Sequence, residues 1–342
     1  MSITIRLPAE WEPQDGILLA WPDAASDWSA LLPEVRRVYA DLITQITRFE
    51  AVLLAAAEPD EARAWLQQAG ISLEQVTIVA AATDDTWTRD SGPVTVLVNN
   101  RPVLLDFGFN GWGLKFAAAH DNQLTRSLKA QGALVPRLNT IGLILEGGSI
   151  ESDGNGTILT TSQCLLSPNR NPQLDRTELE DALQSLLGAQ QIHWLEHGHL
   201  IGDDTDAHVD TLARLCPADT IVYVACDDPD DVHFEPLKLM EAELQALRTL
   251  SGRPYRLLGL PWPSPCYDQG GQRLPATYAN FLVINNAVLV PTYDQPCDSG
   301  ALAVVGLAFP GREIIGINCL PLIEQHGSLH CITMQLPTGV LP

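Results

Sequence analysis

Four polar clusters along this 342-residue chain contain residue types that can perform nucleophilic and acid–base chemistry. Each lies beside a short apolar segment, and in chain order they are "DTWTRDSGP", "LEGGSIES", "HLIGDDTDAHVDT" and "HGSLHCITMQ". The last cluster offers the thiol of Cys331, and the third offers the imidazole of His208, which is the usual proton carrier near neutral pH. Acids and glycines accompany both, as is typical of strand ends that expose side chains at one rim of a scaffold. The clusters together predict one site built from strand-end loops.

The segments around these clusters alternate between apolar strands and amphipathic helices. Six passages have the order strand, Pro- or Asp-rich turn, helix, and they begin at "GILLAWPD", "AVLLAAAEPDE", "PVLLDFGF", "GTILTTSQ", "DTIVYVAC" and "AVLVPTYDQPCD". Helices are predicted near residues 29–49, up to Gly70, near 116–131, over "LDRTELEDALQSLLG", and near 234–250 and 299–308. In "LDRTELEDALQSLLG", Asp175 or Thr177 is the candidate N-cap and Gly188 the stop.

Two strand pairs, "VTVLVNNRPVLLDF" and "NFLVINNAVLVP", have the spacing of β-hairpins that turn at Asn-Asn. Alternation of strands and helices ordinarily favours a doubly wound parallel sheet, but antiparallel pairs inside the repeating units favour separate blades. We therefore expect one mixed α/β domain made of degenerate repeats.

The composition disfavours several functional classes. A formal charge of −22, from 42 acidic and 20 basic residues, disfavours nucleic-acid binding and favours cationic ligands, although solubility alone is a sufficient reason for it. The seven cysteines contain no C-x-x-C pair, so we expect six of them to be small buried side chains rather than disulfides or zinc ligands. Without a signal peptide or a long apolar run, the sequence predicts a soluble, cytoplasmic protein with no membrane partner.

The motifs "WTRDSGP", "EGGSIESDGNGTILTTSQCLLSPNRNP", "AHVDT" and "HCITMQ" occur in this order over nearly the whole chain. In these motifs the sequence resembles the family of agmatine deiminases and bacterial peptidylarginine deiminases. The resemblance implies the pentein fold, a five-bladed α/β propeller of ββαβ-type units, as a single domain over residues 1–342. It also implies an enzyme with no metal or organic cofactor, and it leaves a homodimer open because relatives are often dimers.

Position by position, the resemblance makes Cys331 the nucleophile and His208 the general acid and base. Glu146 is then the carboxylate that orients His208. Asp90 and Asp210 are the residues that hold the guanidinium group of a small cationic substrate.

The chemistry of a guanidinium agrees with these roles. Its charge is spread over three nitrogens, so planar pairs of acceptors such as two carboxylates hold it best. Attack on its central carbon needs a thiolate, and an ordinary cysteine with a pKa of about 8.5 is ionised to only a few per cent at neutral pH. The arriving cation is expected to lower the pKa of Cys331, with His208 taking the proton and later delivering it to departing ammonia. Water then hydrolyses an S-alkylthiouronium intermediate to a ureido product.

Trp87 and Asp204 are the candidate contacts to the rest of the substrate. Trp87 is suited to cover the guanidinium face, with core packing as the equal alternative, and Asp204 to bind a distal amine, with a solvated loop as the alternative. Agmatine deiminases typically carry "NDET" and "GGGNIHC" where this chain has "GDDT" and "HGSLHC". Agmatine, giving N-carbamoylputrescine and ammonia, is the preferred substrate because its two positive charges suit an acidic protein. Peptidyl-arginine is the alternative, and free arginine requires a base such as Arg89 or Arg170 beside its carboxylate.

Two rival functions remain. A metal-dependent hydrolase could use His197, His199 and His208, although no known spacing such as H-E-x-x-H is present. A non-catalytic propeller that only binds is the second rival, but such relatives lose the nucleophile and acids. Of the two histidines that flank Cys331 in sequence, His326 and His330, the latter is as well suited to a structural hydrogen bond as to a substrate contact.

Overall fold

The computed structural model describes residues 3–342, and their backbone forms five sheets of three or four strands and one two-stranded ribbon. The ribbon pairs Cys266–Tyr267 with Arg273–Leu274. The first sheet contains Gln14–Ala20, Ala51–Ala56, Val76–Ala80 and Met334–Pro337, and the second contains Ile5–Arg6, Val94–Val98, Arg101–Gly108 and Arg137–Ile144. The third contains Ile150–Ser152, Thr157–Thr161 and Gln191–Leu195, and the fourth contains Ala213–Cys216, Thr220–Val224 and Arg256–Leu260. The fifth contains Leu282–Ile284, Ala287–Thr292 and Glu313–Asn318.

The second to fifth sheets repeat one pattern, an antiparallel hairpin followed by a helix and a parallel strand. In the fifth sheet, Leu282–Ile284 pairs antiparallel with Ala287–Thr292, which pairs parallel with Glu313–Asn318. The first sheet takes its antiparallel strand from late in the chain, because Met334–Pro337 pairs with Gln14–Ala20. The five-bladed arrangement of ββαβ units is confirmed, and the six predicted passages give five blades because the first two passages share one sheet.

The two predicted hairpins are confirmed. Asn99 and Asn100 both have positive φ angles, 50° and 60°, which a two-residue hairpin turn needs and which asparagine adopts more easily than most residues. Asn286 in the second hairpin has a φ of 61°. In the part of the chain that the structure describes, no helix is long and apolar enough to cross a membrane.

Helices are found in all six predicted places. Asp175 forms a capping box with Glu178, and Gly188 ends that helix with a left-handed φ of 74°. The longer helices are Leu32–Ile46, Pro59–Gln68, Leu124–Ala130, Arg176–Leu187, Phe234–Ala246 and Asp298–Ala308. The shorter ones are Thr88–Ser91, Gly111–Leu114, Ser162–Leu165 and Leu320–Ile323, with 3₁₀ turns at Asp27–Ala30, Asp121–Gln123, Gly147–Ser149 and Val209–Thr211.

The helix predicted over 116–131 is wrong in its first half, since it begins only at Leu124. The backbone N–H of His120 donates to the Asp84 carboxylate at 2.6 Å, and the Asp121 carboxylate accepts the N–H of Asp84 at 2.8 Å. These two contacts fix the segment to a neighbouring loop, so its backbone groups are satisfied outside a helix.

The five segments that join successive sheets carry the five site residues predicted from the sequence, together with Asn280. In order around the ring, the joining segments contain Asp90, then Glu146 and Gly148, then His208 and Asp210, then Asn280, and finally Cys331. Loops at strand ends carry side chains that a rigid scaffold positions. One site can therefore draw a residue from every blade junction.

Candidate active site

Cys331 lies in the segment between the fifth and first sheets and is buried. Its Sγ is 3.4 Å from Asn280 Oδ1 and 3.9 Å from Asp210 Oδ2. The same Asn280 oxygen accepts the backbone N–H of Cys331 at 3.3 Å. Burial and the carboxylates of Asp210 and Asp90 raise the pKa of Cys331 well above its ordinary value. The sulfur is therefore a thiol unless a positive charge offsets these effects.

Asp90 is held by two donors. Its Oδ1 accepts the backbone N–H of Gly148 at 2.9 Å, and its Oδ2 accepts Trp112 Nε1–H at 2.9 Å. Burial and the charge of Asp210 raise the pKa of Asp90 to about 8. A Cβ on Gly148 would lie 2.6 Å from His208 Nδ1, 2.9 Å from Asp210 Oδ2 and 3.0 Å from Asp90 Oδ1. Glycine at this position therefore lets two carboxylates and an imidazole converge on one point.

His208 is completely buried, and neither ring nitrogen has a hydrogen-bond partner among the described residues. Its Nδ1 is 3.7 Å from Asp90 Oδ1. The backbone is better anchored than the ring, since its N–H donates to Thr205 Oγ1 at 3.1 Å and its carbonyl accepts the Thr211 hydroxyl at 2.8 Å. Burial, opposed by the charge of Asp210, lowers the pKa of His208 to about 3. The ring is thus a neutral imidazole with two nitrogens available to a ligand.

Glu146 lies within 4.8 Å of His208, but the orienting hydrogen bond expected from the sequence is not formed in this structure. Both oxygens of Glu146 accept Arg170 Nε–H instead, at 2.8 and 3.0 Å. The same guanidinium donates to Asp206 Oδ2 at 2.7 Å and to the Thr205 carbonyl at 2.8 Å. Arg170 therefore ties Glu146 to the loop that leads into His208.

Asp210 offers one free acceptor. Its Oδ2 accepts from His330 Nδ1 at 2.7 Å, while its Oδ1 is buried without a partner among the described residues. Burial opposes ionisation, but the hydrogen bond and charge of His330 lower the pKa of Asp210. Asp210 is therefore ionised at neutral pH, and its partnerless oxygen is suited to a cationic donor.

Of these residues, Asp90 and Cys331 line a pocket of about 480 Å³, which we call the Cys331 cavity. His208 and Asp210 do not line it, but they contact Asp90 and Cys331 from beneath. Among the described residues the lining contains no lysine or arginine, and it consists of Asp27, Asp85, Trp87, Asp90, Trp112, Phe116, Asp204, Thr205, Gln325, His326, Gly327 and Cys331. Its acids and aromatic rings suit a flat cation.

A family model described as Porphyromonas-type peptidyl-arginine deiminase matches residues 6–337. The chain belongs to this family. The agmatine deiminase of Pseudomonas aeruginosa (strain LESB58) is 33% identical to it, and the alignment covers 97% of this chain and 95% of the relative. The resemblance found in the sequence is confirmed, and the protein is a hydrolase of guanidino C–N bonds.

Solved structures give the same result. A Porphyromonas gingivalis structure, provisionally described as an arginine deiminase, has a TM-score of 0.93 and 47% identity over 99% of this chain and 100% of its own. A Cys→Ser variant of C. jejuni agmatine deiminase with substrate bound has a TM-score of 0.92 and 37% identity over 99% and 98% of the two chains. The pentein fold of the deiminase family is thus confirmed.

Trp87 and Asp204 both line the cavity of this family member. The Trp87 ring packs against Trp28 with centroids 5.6 Å apart and against the backbone of Gly327, where a Cβ would lie 2.2 Å from the ring. Trp87 therefore combines core packing with a cavity wall. The Asp204 side chain is 42% exposed, and its Oδ2 is 4.0 Å from His326 Nε2.

The structure does not gather the three histidines of the metal-hydrolase alternative. His197 is exposed and its Nδ1 contacts Glu243 at 2.6 Å, while the ring of His199 packs beside His233. Within residues 3–342, the groups whose potential ligand atoms lie within 4.8 Å of one another are Glu146, Cys164 and His208, and Glu10, Glu151 and His330. Neither group includes His197 or His199, so this alternative has no structural support.

The two bases considered for free arginine are also unavailable. Arg170 is committed to Glu146 and Asp206. Arg89 is buried and contacts Glu10 at 3.3 Å. Neither lines the Cys331 cavity.

Sequence reasoning missed Asn280 and Trp112 and left the role of His330 open. Trp112 lies between the strands Arg101–Gly108 and Arg137–Ile144 of the second sheet, in a tight turn with a left-handed φ of 54°. Asn280 lies in the segment "YANF" between the fourth and fifth sheets. The signal for Asn280 was positional, because every other blade junction supplies a site residue. His330 proves to be a hydrogen-bonding partner of Asp210.

Proposed function

We propose that the protein hydrolyses agmatine to N-carbamoylputrescine and ammonia through a covalent intermediate on Cys331. The observation that carries this proposal is the Cys331 cavity, whose lining combines the thiol and Asp90 with the acids Asp27, Asp85 and Asp204 and, among the described residues, has no lysine or arginine to bind a carboxylate. Agmatine places a guanidinium at one end and an ammonium at the other. The positive charges at the two ends of agmatine suit a cavity whose lining contains several acids.

The two carboxylates beneath the cavity have complementary roles in this proposal. Asp210 is ionised and presents Oδ1, so it accepts a guanidinium N–H. Asp90, whose pKa is about 8, releases its proton when the cation arrives, because a positive charge stabilises the carboxylate. The pair then fixes the guanidinium plane with its central carbon facing Cys331 Sγ.

The reaction follows from these positions. The cation lowers the pKa of Cys331, the thiol proton leaves, and the thiolate adds to the guanidinium carbon. His208 takes up that proton and donates it to the departing nitrogen, so ammonia leaves and an S-alkylthiouronium remains. His208 then accepts a proton from water, which attacks the same carbon. Collapse of this adduct breaks the C–S bond, the hydroxyl proton passes to the leaving sulfur, and the ureido product and the Cys331 thiol are released. His208 then gives its proton to solvent.

Peptidyl-arginine is the second candidate, and the description of the matching family model favours it. An arginine inside a peptide has neutral amides where agmatine has an ammonium. Asp204 and Asp27 at the cavity would then lack a cationic partner, which is the physical reason for placing agmatine first.

A substrate panel tests this proposal through ammonia release. Agmatine is expected to have the highest kcat/KM among agmatine, free arginine, N-acetylarginine amide and butylguanidine. A higher kcat/KM for the blocked arginine would transfer the assignment to a peptidyl-arginine deiminase.

The covalent step is tested by acid-quenching the enzyme during turnover and weighing the Cys331 peptide. We expect an amidine adduct on that peptide in the native protein and a loss of turnover of at least about four orders of magnitude in Cys331→Ser, as for other nucleophile removals. Cys266→Ser, outside the cavity, serves as the control and should retain activity. Full activity of Cys331→Ser would reject the mechanism.

A further inference from the structure

His330 lies between the carboxylates of Asp210 and Glu10, and neither His330 nor Glu10 has a role in the chemistry described above. Its Nδ1 is 2.7 Å from Asp210 Oδ2, and its Nε2 is 2.6 Å from Glu10 Oε1. His330 is almost completely buried, and its backbone N–H donates to Asn280 Oδ1 at 2.9 Å. The ring is therefore fixed in place with both nitrogens directed at carboxylate oxygens.

The number of protons shared by Glu10, His330 and Asp210 follows from the two contacts of the His330 ring. Each contact at hydrogen-bonding distance between nitrogen and a carboxylate oxygen needs one hydrogen between the two atoms. A neutral imidazole carries one N–H, so a neutral His330 between two ionised acids would leave one lone pair facing another. Two protons are needed, either both on the ring or one on the ring and one on a carboxyl group.

The charges around His330 come from several elements. Arg214 lies against it, with Nη2 3.1 Å from His330 Nε2 and 2.6 Å from Glu10 Oε2, and Arg89 Nη1 is 3.3 Å from Glu10 Oε1. Glu151 lies within 4.8 Å of both His330 and Glu10.

These charges compete over where the second proton lies. Burial, Arg214 and Arg89 lower the pKa of His330, whereas Glu10 and the hydrogen bond to Asp210 raise it. Burial raises the pKa of Glu10, but His330, Arg214 and Arg89 outweigh it and lower that pKa, which favours the ring over Glu10 as the place of the second proton.

We propose that Glu10, His330 and Asp210 form a buried chain that holds two protons, in which His330 is a positioning residue for Asp210. With Oδ2 occupied by His330, Asp210 presents Oδ1 alone to a guanidinium, and this consequence rests on the proposed function. The second proton also reduces the negative charge beside Cys331 by one unit. The chain thus partly offsets the acids that raise the pKa of the thiol.

A spectroscopic experiment counts the protons without any substrate. Ring ¹⁵N spectra of histidine-labelled protein at pH 6–8, with the His330 signals identified by their loss in His330→Gln, are combined with infrared spectra of the carboxyl groups. We expect either two protonated ring nitrogens or one together with a protonated-carboxyl band that disappears in Glu10→Gln. A ring with one bare nitrogen and no such band would overturn the proposal.

The effect on Cys331 is measured by the pH dependence of its alkylation with iodoacetamide, followed on the Cys331 peptide by mass spectrometry. His330→Gln is expected to raise the pH midpoint of alkylation by about one unit or more, because a positive or shared proton is lost. When both protons are on the ring, Glu10→Gln is expected to lower it, because a negative charge is then lost. Opposite signs distinguish a charge effect from general loosening of the fold, which would move both midpoints the same way.

Glu12→Gln is the matched control. Glu12 belongs to the same segment as Glu10 but pairs with Arg6, at 2.5 and 2.7 Å, rather than with His330. Its substitution should leave the alkylation midpoint unchanged, and midpoints that do not move in His330→Gln and Glu10→Gln would refute the coupling. Since no readout uses agmatine, a failed substrate assignment would leave both tests valid.

Discussion

Two groups of buried charges lie next to each other, and they differ in how completely they are paired. We call the first the Arg214 network, formed by Glu10, Arg89, Glu151, Arg214 and His330. Arg214 alone donates to Glu151 Oε1 at 2.5 Å, to Glu10 Oε2 at 2.6 Å and to two backbone carbonyls. In this network acids and bases compensate one another within the protein.

The second group, beneath the Cys331 cavity, is not compensated. Asp210 Oδ1 and both ring nitrogens of His208 lack partners among the described residues. Unpaired buried polar groups cost free energy in the folded state. The first group is therefore satisfied within the fold, and the second agrees with our proposal that a cationic substrate completes it.

Arg214→Met is expected to have the largest effect on the free energy of unfolding. Removing the base leaves Glu10 and Glu151 buried without their main partner, and losing one member of a buried ion pair typically costs about 3–5 kcal/mol. Urea unfolding should show a loss of this size. Arg48→Met, which removes a half-exposed pair with Glu313, should cost less than about 1 kcal/mol. Equal losses in both variants would contradict the proposed division between the groups.

Gly148→Ala tests the second group by adding a methyl group where its side chains meet. The new methyl group would lie 2.6 Å from His208 Nδ1 and within 3.0 Å of the Asp90 and Asp210 carboxylates. We expect kcat/KM for agmatine to fall about 100-fold, because small displacements of positioned catalytic groups have effects of this size.

Gly142→Ala is the matched control for that substitution. Gly142 has no atom within 4 Å of the new Cβ position and no left-handed backbone, so activity and stability should be retained. Retained activity in Gly148→Ala would show that the three groups do not need to converge.

The structure brings together the residues that local motifs mark in the sequence. Cys331, His208 and Asp90 each stand in a short glycine-containing segment at a strand end, and these segments also identify the family. The helix capped by Asp175 was equally predictable, because its capping box and its terminal Gly188 are local signals. Features that depend on neighbouring residues can thus be predicted from the sequence.

Pairings between distant segments were not predictable. His330 and Glu10 are 320 positions apart, and Cys331 and Asn280 are 51 apart, so nothing near either residue indicates its partner. The same reason explains the wrong helix start, since the Asp84 carboxylate that captures the N–H of His120 lies 36 residues away. Glu146 was correctly placed near His208, but its bond to Arg170 depends on tertiary packing.

Asp90→Asn tests whether the raised pKa of Asp90 makes the stability of the native protein depend on pH. Between its ordinary pKa of 3.8 and its folded value of about 8, Asp90 keeps a proton in the folded protein that the unfolded chain has released. The free energy of unfolding therefore falls as pH rises through this range, by up to about 1.4 kcal/mol per unit from this group. The variant lacks this dependence, so from pH 5 to 8.5 its Tm should fall less than that of the native protein. Parallel Tm curves would show that Asp90 ionises normally.

Asp204→Asn should have the smallest effect, because the side chain is 42% exposed and water screens its charge. We expect KM for agmatine to rise about 2- to 5-fold and kcat to stay constant, since an exposed pair is worth at most about 1 kcal/mol. Butylguanidine, which lacks the distal ammonium, should show no change, and added salt should reduce the difference for agmatine. Asp204→Glu keeps the charge and should retain the native KM. A change of similar size for butylguanidine would place Asp204 at the guanidinium end, with the buried acids rather than the exposed ones.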